Sequence, residues 1–394
     1  MFFASLMYGL GTQFEILGMS VLVYAQTRSA FLAAFAFSIG FSPQLVGGAL
    51  FTSLADRLPP RVVYTTCMLA RAAPGLLIGA LPGMPVAVML VMVAAAAMIM
   101  PVYSAAVSGI LADVLKGDQY VLGRSSISVL NSSSQIIGMG IGGAILVLLP
   151  ARGLLLAAGS ALVLSALVRR GLPPRPARQV GPLSLRGTVR GTMAGNARLF
   201  RDHQVRKLLL AQWLPLSFTT GAESLVVPYV GSLGKAAAAA GPLLAATPAG
   251  MILGEYVVGR WCRPAFRQRM ALPLAVLTCL PWLLFAIRPP LVLAACAMFC
   301  CGCGTAYELG LQRLFLDSVP GELRGQAFGL NATGVMGGQG VGPWLTGALA
   351  AVVGPAVAIA ASGGAGVVSA LALIRKLNGR TGDNRAQDAA AEAG

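Results

Sequence analysis

Long apolar runs alternate with short polar breaks along the whole chain. A helix needs roughly 20 mostly apolar residues to cross the hydrocarbon core of a bilayer, and twelve runs of this kind can be counted. The pattern therefore predicts an all-α membrane protein. We number the predicted membrane spans 1 to 12 in chain order, and their approximate limits are residues 1–25, 29–55, 62–82, 85–113, 125–149, 152–170, 207–231, 236–258, 270–287, 289–317, 325–352 and 355–375.

The composition agrees with this pattern. Of the 394 residues, 56% are hydrophobic and only 11% are charged, and the mean hydropathy is +0.76. A soluble globular domain is usually about 25% charged. We expect a multi-pass protein of the cell inner (plasma) membrane, with the lipid bilayer as its constant partner.

The net charge of +16 is spread over the breaks between the apolar runs. If the N-terminus faces the cytoplasm, 24 of the 29 Lys and Arg residues lie on the cytoplasmic side, four lie outside, and Arg71 lies within a span. This positive-inside bias predicts that both termini are cytoplasmic. It also argues against a nucleic-acid partner, because nucleic-acid binders gather their basic residues on one solvated face beside a recognisable motif.

One long polar connection, residues 169–206, separates two groups of six spans. The predicted organisation is a six-helix bundle at 1–170, a basic cytoplasmic linker at 171–206, a second six-helix bundle at 207–376, and a polar tail at 377–394. Because its composition is polar, we expect the tail to be disordered. We expect the chain to act as a monomer.

The two bundles repeat each other in sequence. Near the end of span 4, Tyr103 is followed ten positions later by Asp113, and in span 10 Tyr307 is followed ten positions later by Asp317. Spans 5 and 11 each begin with an arginine, followed after seven positions by an asparagine and then by three alternate glycines. Such parallel repeats are typical of many secondary transporters.

These features carry a family resemblance. The loop LADRLPPR at 54–61 resembles the G-x-L-A-D-R-x-G-R-R motif of the major facilitator superfamily, and GRWCRPAFR at 259–267 resembles a degenerate second copy. The resemblance implies two pseudo-symmetric bundles of six helices. It also implies a cytoplasmic gating loop, in which Asp56 contacts the start of span 11 and helps to lock the outward-facing state; its members are Asp56, Arg57, Arg61, Arg260 and Arg324.

VPGELRGQAFG at 319–329 resembles the start of span 11 in drug-exporter-like members of the superfamily, the drug/proton antiporter type. Two features depart from that branch. Span 4 has no arginine, and span 5 reads GMGIGG where the antiporter signature has a proline.

Four ionisable residues lie inside predicted spans: Glu15, Glu223, Glu308 and Arg71. A charge at the centre of a bilayer costs roughly 2.5–3.5 kcal/mol on insertion scales, so such residues should face a cavity or a partner. They are candidates for proton coupling or substrate binding, because a low dielectric makes a carboxyl group easier to protonate. The alternative is a static pair, for example between a carboxylate and Arg71.

In the resembled superfamily, spans 1, 4, 7 and 10 line a central cavity. Candidate cavity residues are Tyr103, Tyr307, Gln44, Asn131, Gln212 and Trp213. For each aromatic among them, simple helix packing is an open alternative. Mostly apolar walls with a few polar groups suit a hydrophobic or amphiphilic solute.

The sequence favours a secondary active transporter over an enzyme. No nucleophile–base pair or nucleotide-binding loop of the G-x-x-x-x-G-K-[ST] type is present. The cysteines lie mostly in apolar runs, far in sequence from the only histidine, so we predict no metal and no cofactor. The leading hypothesis is proton-coupled efflux of small hydrophobic compounds such as drugs or secondary metabolites. An importer or facilitator, and a non-transporting receptor, remain as alternatives.

Overall fold

The computed structural model of the protein describes residues 2–51, 59–104, 118–170, 185–320 and 323–391, and within these ranges all regular secondary structure is helical. This confirms the predicted all-α fold with twelve spans in two six-helix bundles. In the N-terminal half the helices are Phe2–Thr27 (span 1), Ala30–Ser38 and Ser42–Phe51 (span 2), Pro60–Ala80 (span 3), Val86–Met98 continued at 100–104 (span 4), Asp118–Leu148 (span 5) and Ala151–Arg170 (span 6).

In the C-terminal half the helices are His203–Ser224 and Val226–Ser232 (span 7), Ala240–Trp261 (span 8), Pro264–Cys279 with a 3₁₀ turn at Leu280–Ile287 (span 9), Leu291–Gly304 and Tyr307–Ser318 (span 10), Arg324–Val353 (span 11) and Pro355–Ala391 (span 12). In the described part of the chain, nine of these spans contain a helix long and apolar enough to cross a membrane. The other three are spans 5, 7 and 11.

Four spans that the hydropathy pattern presents as continuous are broken in the structure. The breaks in spans 2, 4 and 7 lie just before Pro43, Pro101 and Pro228. Proline has no backbone N–H and clashes with the preceding turn, so it interrupts a helix there and fits the first turn of the next one. Span 10 breaks at 305–306 without a proline, and there Thr305 Oγ1 donates to the carbonyl of Gly302 at 2.6 Å.

The linker contains more structure than its composition predicts. A helix, Leu185–Arg201, lies within the predicted polar connection. It is amphipathic: Leu199 is buried and Phe200 packs against Trp213 of span 7, with ring centroids 5.7 Å apart. Apolar contact with the C-terminal half thus stabilises a helix in an otherwise basic segment.

The last helix extends into the segment 377–394, for which the sequence predicts a disordered tail. Span 12 continues as one helix to Ala391. Alanine favours a helix here, because the stretch AQDAAAEA at 386–393 is rich in this residue, which has the highest helix propensity.

The two halves meet along two seams, spans 2 and 11 on one side and spans 5 and 8 on the other. A buried apolar cluster shared by both halves includes Leu17, Val21, Val226, Leu243 and Ile359, which lie toward the predicted outer side. At the predicted inner side, each half has its own buried cluster. Among the described residues, apolar packing between the halves is therefore concentrated at the predicted outer end.

Spans 5 and 8 touch through glycines at this end. A Cβ added to Gly143 would overlap the Cα of Gly241, so the two backbones pack directly on each other. We expect Gly143→Val to lower the free energy of unfolding by about 1–3 kcal/mol, the usual cost of overpacking, because backbone atoms cannot move aside. Thermal unfolding in detergent measures the change.

Gly140 provides the matched control for this substitution. It lies in the same helix, yet a Cβ added there would meet no atom within 4 Å. Gly140→Val should leave the unfolding midpoint close to that of the natural chain. Equal midpoints for the two variants would show that the seam does not require a glycine.

Candidate functional site

The interior of the N-terminal half contains a buried ion pair. Glu15 lies in the middle of span 1 and Arg71 in the middle of span 3, and Arg71 Nη1 is 3.3 Å from Glu15 Oε1. Their side chains are only 3% and 4% exposed. Removing both charges from water is costly, and their mutual attraction offsets that cost only in part. The static pair considered from the sequence is thus present, between the two residues predicted to carry chemistry in this half.

Arg71 also lies against the break in span 2. A Cβ added to Gly40 would be 3.3 Å from Arg71 Nη2, so the break leaves room for the guanidinium. The predicted cavity residue Gln44 lies in the helix after this break, and its side-chain amide nitrogen donates to the carbonyl of Gly40. Spans 1, 2 and 3 therefore converge on the ion pair.

Glu223 occupies a different environment in the C-terminal half. It lies one residue before the end of the first helix of span 7, beside Thr247 of span 8 and near Cys301 of span 10. These neighbours are neutral, and in the described part of the chain no basic side chain lies within ion-pair distance of Glu223. The two halves thus contain carboxylates of two kinds, one paired with an arginine and one among uncharged groups.

A hydrogen-bond network joins three predicted cavity residues of the C-terminal half. Asn331 Nδ2 donates to Gln212 Oε1 at 3.0 Å, and Trp213 Nε1 donates to Asn331 Oδ1 at 2.9 Å. The hydroxyl of Tyr307 donates to the carbonyl of Gln212 at 2.9 Å. Spans 7, 10 and 11 are tied together by these bonds. Asn331 was visible in the sequence only as a member of the repeat.

Tyr103, the repeat counterpart of Tyr307, packs against other aromatic rings of the N-terminal half. Its ring lies 5.1 Å from that of Tyr8 and 5.7 Å from that of Tyr64, in a buried apolar cluster. These surroundings favour simple helix packing over a cavity-lining role for Tyr103. Asn131 is part of the span 5 helix, but its side chain lies outside the described residues.

Glu308 lies in the second helical piece of span 10, partly buried, and close enough to Glu255 of span 8 for the two carboxylates to repel each other. Spans 8 and 10 approach closely here, since a Cβ added to Gly254 would overlap the backbone of Cys303. Sequence reasoning did not connect these two acids, because their proximity depends on glycine-mediated helix packing.

The predicted gating loop is described only in part. Asp56 and Arg57 lie outside the described residues, as does the side chain of Arg324. Arg61 lies in the first turn of span 3 and is partly buried. Arg260 is exposed in the last turn of span 8.

Another arginine of the second motif copy has a structural role. Arg267 donates to the carbonyls of Gly259 and Cys262 and so caps the C-terminal end of span 8. Cations are favoured at this end of a helix because its carbonyls lack intrahelical partners. A basic residue a few positions after a predicted helix end was the signal that could have identified it.

Among the described residues, no group of three or more His, Cys, Asp or Glu side chains could hold a metal ion. The chemistry available in the described part of the chain is that of two carboxyl groups inside an apolar bundle: Glu15, which is buried beside its arginine partner, and Glu223, which is partly buried. Carboxyl groups placed in this way can bind and release protons as their surroundings change.

Comparisons with known proteins agree on the fold. Residues 1–311 match the sequence profile of the Major Facilitator Superfamily. No curated protein sequence matches the chain significantly. Among solved structures, the chain is similar to a POT family transporter in complex with a thioalcohol-conjugated peptide (12% identity, 94% of each chain covered, TM-score 0.69).

Two further structures show the same likeness. One is the nucleoside transporter NupG, with 16% identity, 95% of this chain and 99% of that chain covered, and a TM-score of 0.67. The other is a D-xylose-proton symporter, with 15% identity, 94% of this chain and 95% of that chain covered, and a TM-score of 0.68. At these identities, the likeness shows the fold.

Proposed function

The chain belongs to the Major Facilitator Superfamily and is a secondary transporter, and from this premise we propose that it exports small hydrophobic or amphiphilic compounds in exchange for protons. The observation that carries the proposal is a set of two intramembrane carboxylates, the buried Glu15 with its arginine partner and the partly buried Glu223 among neutral groups. We assign proton binding to both carboxyl groups.

Proton exchange follows from these surroundings. When Glu15 binds a proton, it can separate from Arg71, because protonation removes the charge attraction between the two side chains. The described neighbours of Glu223 are neutral, so its charged form needs water or another polar group, which an open cavity supplies. A transporter that alternately opens to either side changes both environments in each cycle.

The solute class rests on the composition of the interior. The buried clusters are apolar, and three polar side chains of the C-terminal half, those of Gln212, Trp213 and Asn331, are hydrogen-bonded to one another. Such walls favour a hydrophobic or amphiphilic solute over a strongly hydrated one. The drug-exporter-like start of span 11 supports export, whereas the similar solved structures are a POT family transporter with a bound peptide conjugate, a nucleoside transporter and a D-xylose-proton symporter.

The remaining assignments belong to the same proposal. We place the chain as a monomer in the inner (plasma) membrane with both termini in the cytoplasm, and the bundles at 1–170 and 207–376 on either side of the linker at 171–206. The concentration of shared apolar packing at one end supports a conformation closed to the outside.

Inside-out vesicles with an imposed pH gradient test the proposal directly, with the dye Hoechst 33342 as probe. An acidic interior, which represents the outside of the cell, should drive accumulation of the dye, and a protonophore should abolish it. Accumulation driven instead by an acidic exterior would show symport, and thus import. A susceptibility screen in a pump-deleted host would extend the test to other compounds.

The gating loop gives a prediction of its own. We expect Asp56→Asn to slow transport about five- to tenfold, equivalent to about 1–1.4 kcal/mol, because the neutral amide is attracted less strongly to the N-terminal amides of span 11. Initial rates in vesicles at equal protein content measure the effect.

Asp202→Asn is the control for this change. Asp202 caps the first helix of span 7 by accepting from the backbone N–H groups of Gln204 and Val205, and asparagine caps nearly as well. Its transport rate should stay near that of the natural chain. Full activity in Asp56→Asn would show that the proposed contact between Asp56 and the start of span 11 takes no part in transport.

A further inference from the structure

The seam between spans 2 and 11 combines aromatic rings from both halves. Phe35 of span 2 stacks on Trp344 of span 11, with ring centroids 5.0 Å apart and planes inclined by 28°, and Phe31 lies next to Phe35 at 6.1 Å. One helical turn from Trp344, the backbone of Gly340 touches Ser42, and a Cβ added to Gly340 would overlap the serine side chain. The seam is thus an aromatic strip with a serine at one end.

Two polar atoms of this seam are buried without a partner. Among the described residues, neither Trp344 Nε1 nor Ser42 Oγ has a hydrogen bond. A buried donor left unsatisfied costs about 1–3 kcal/mol, and most buried polar groups in proteins are paired. One atom belongs to Trp344, and the other belongs to a serine of the opposite half that touches Gly340, one helical turn from Trp344. Two such atoms at one seam indicate a place where a ligand supplies the missing acceptor.

The charges beside the seam define which ligand fits. Ser42 follows the break at Gly40, against which the Arg71 guanidinium lies, and Glu15 pairs with that guanidinium. The ion pair is neutral as a whole, so a charged ligand would gain no net counter-charge and would lose its hydration. The indole N–H can only donate.

We propose that the seam between spans 2 and 11 binds a planar, neutral aromatic compound that carries a hydrogen-bond acceptor such as a carbonyl. The rings of Phe35 and Trp344 contact its plane or edge, and Trp344 Nε1 and Ser42 Oγ donate to its acceptor. The inference rests on the proposed export function and narrows its substrate class. Because the seam is built from both halves, a ligand bound there is released when the halves separate.

Two pyrene probes of nearly equal size test the proposal. 1-Acetylpyrene has a carbonyl acceptor, and 1-ethylpyrene has none. Binding is measured by pyrene fluorescence anisotropy with the protein in lipid nanodiscs, after subtraction of empty nanodiscs. Trp344→Phe keeps an aromatic ring but removes the donor, so it should weaken binding of 1-acetylpyrene about five- to tenfold and leave 1-ethylpyrene within about twofold. Ser42→Ala should likewise weaken binding of 1-acetylpyrene and leave binding of 1-ethylpyrene within about twofold.

Trp261→Phe is the control, because Trp261 is the last residue of span 8, outside the seam, and is 71% exposed. This substitution should change the affinity for neither probe. Equal losses for both probes, unchanged affinities in both variants, or no saturable binding of 1-acetylpyrene to the natural chain would each overturn the proposal. Proton-driven Hoechst 33342 transport by the natural chain, measured in parallel, separates these results from a failure of the export function, since that transport would persist if only the seam assignment were wrong.

Discussion

Glu15→Gln should both destabilise the protein and abolish proton-driven transport. The substitution leaves Arg71 buried without a counter-ion, and breaking a buried pair in this way costs about 3–5 kcal/mol. Arginine cannot lose its charge in a protein, so the cost cannot be avoided. We expect a clear drop in the thermal unfolding midpoint in detergent and at least a tenfold loss of pH-driven dye accumulation.

Two further variants separate stability from coupling. Arg71→Met should destabilise less than Glu15→Gln, because Glu15 can become neutral by binding a proton whereas arginine cannot. The double variant removes both charges, and we expect its unfolding free energy to return to within about 1–2 kcal/mol of the natural value. It should nevertheless lack proton-driven transport.

The double variant also provides the decisive outcome. A stable Glu15→Gln/Arg71→Met protein that still accumulates dye in response to a pH gradient would show that the pair is purely structural. A double variant no more stable than Glu15→Gln alone would show that the two residues do not interact as the 3.3 Å contact indicates.

The sequence allowed the spans to be located because each hydrophobic run is long enough to identify a helix by itself. The breaks near Gly40 and at 305–306 were not predicted, because a hydropathy pattern does not register a local loss of backbone hydrogen bonds. Proline was a partial signal, since Pro43, Pro101 and Pro228 each follow a break, yet Pro248 and Pro343 lie within continuous helices. Packing against neighbouring spans decides which prolines interrupt a helix.

The candidate site was predictable in its residues but not in its contacts. Charges within apolar runs identified Glu15, Arg71 and Glu223, because an intramembrane charge is costly wherever it lies. Which of them pair depends on helix rotation and on close glycine contacts, which one sequence does not reveal. The link from Trp213 through Asn331 to Gln212 was missed for the same reason, although the repeat had placed Asn331 at a special position.

Glu223→Gln should uncouple the transporter without destabilising it. Its described neighbours Thr247 and Cys301 are neutral, so a neutral amide of the same shape leaves no unpaired charge behind, unlike the change at Glu15. We expect an unfolding midpoint equal to or above that of the natural chain. Proton-driven accumulation of dye should fall at least tenfold, while exchange of labelled for unlabelled substrate, which needs no net proton movement, should continue.

Glu255→Gln is the matched control for this prediction. Glu255 is also a carboxylate of the C-terminal half, but its side chain is exposed and lies toward the other end of span 8 from Thr247. It should retain both exchange and proton-driven accumulation. If Glu223→Gln responds to the pH gradient as Glu255→Gln does, Glu223 takes no part in coupling, and Glu15 and Glu308 remain as the candidate proton carriers. If exchange is lost as well, Glu223 binds the substrate rather than the proton.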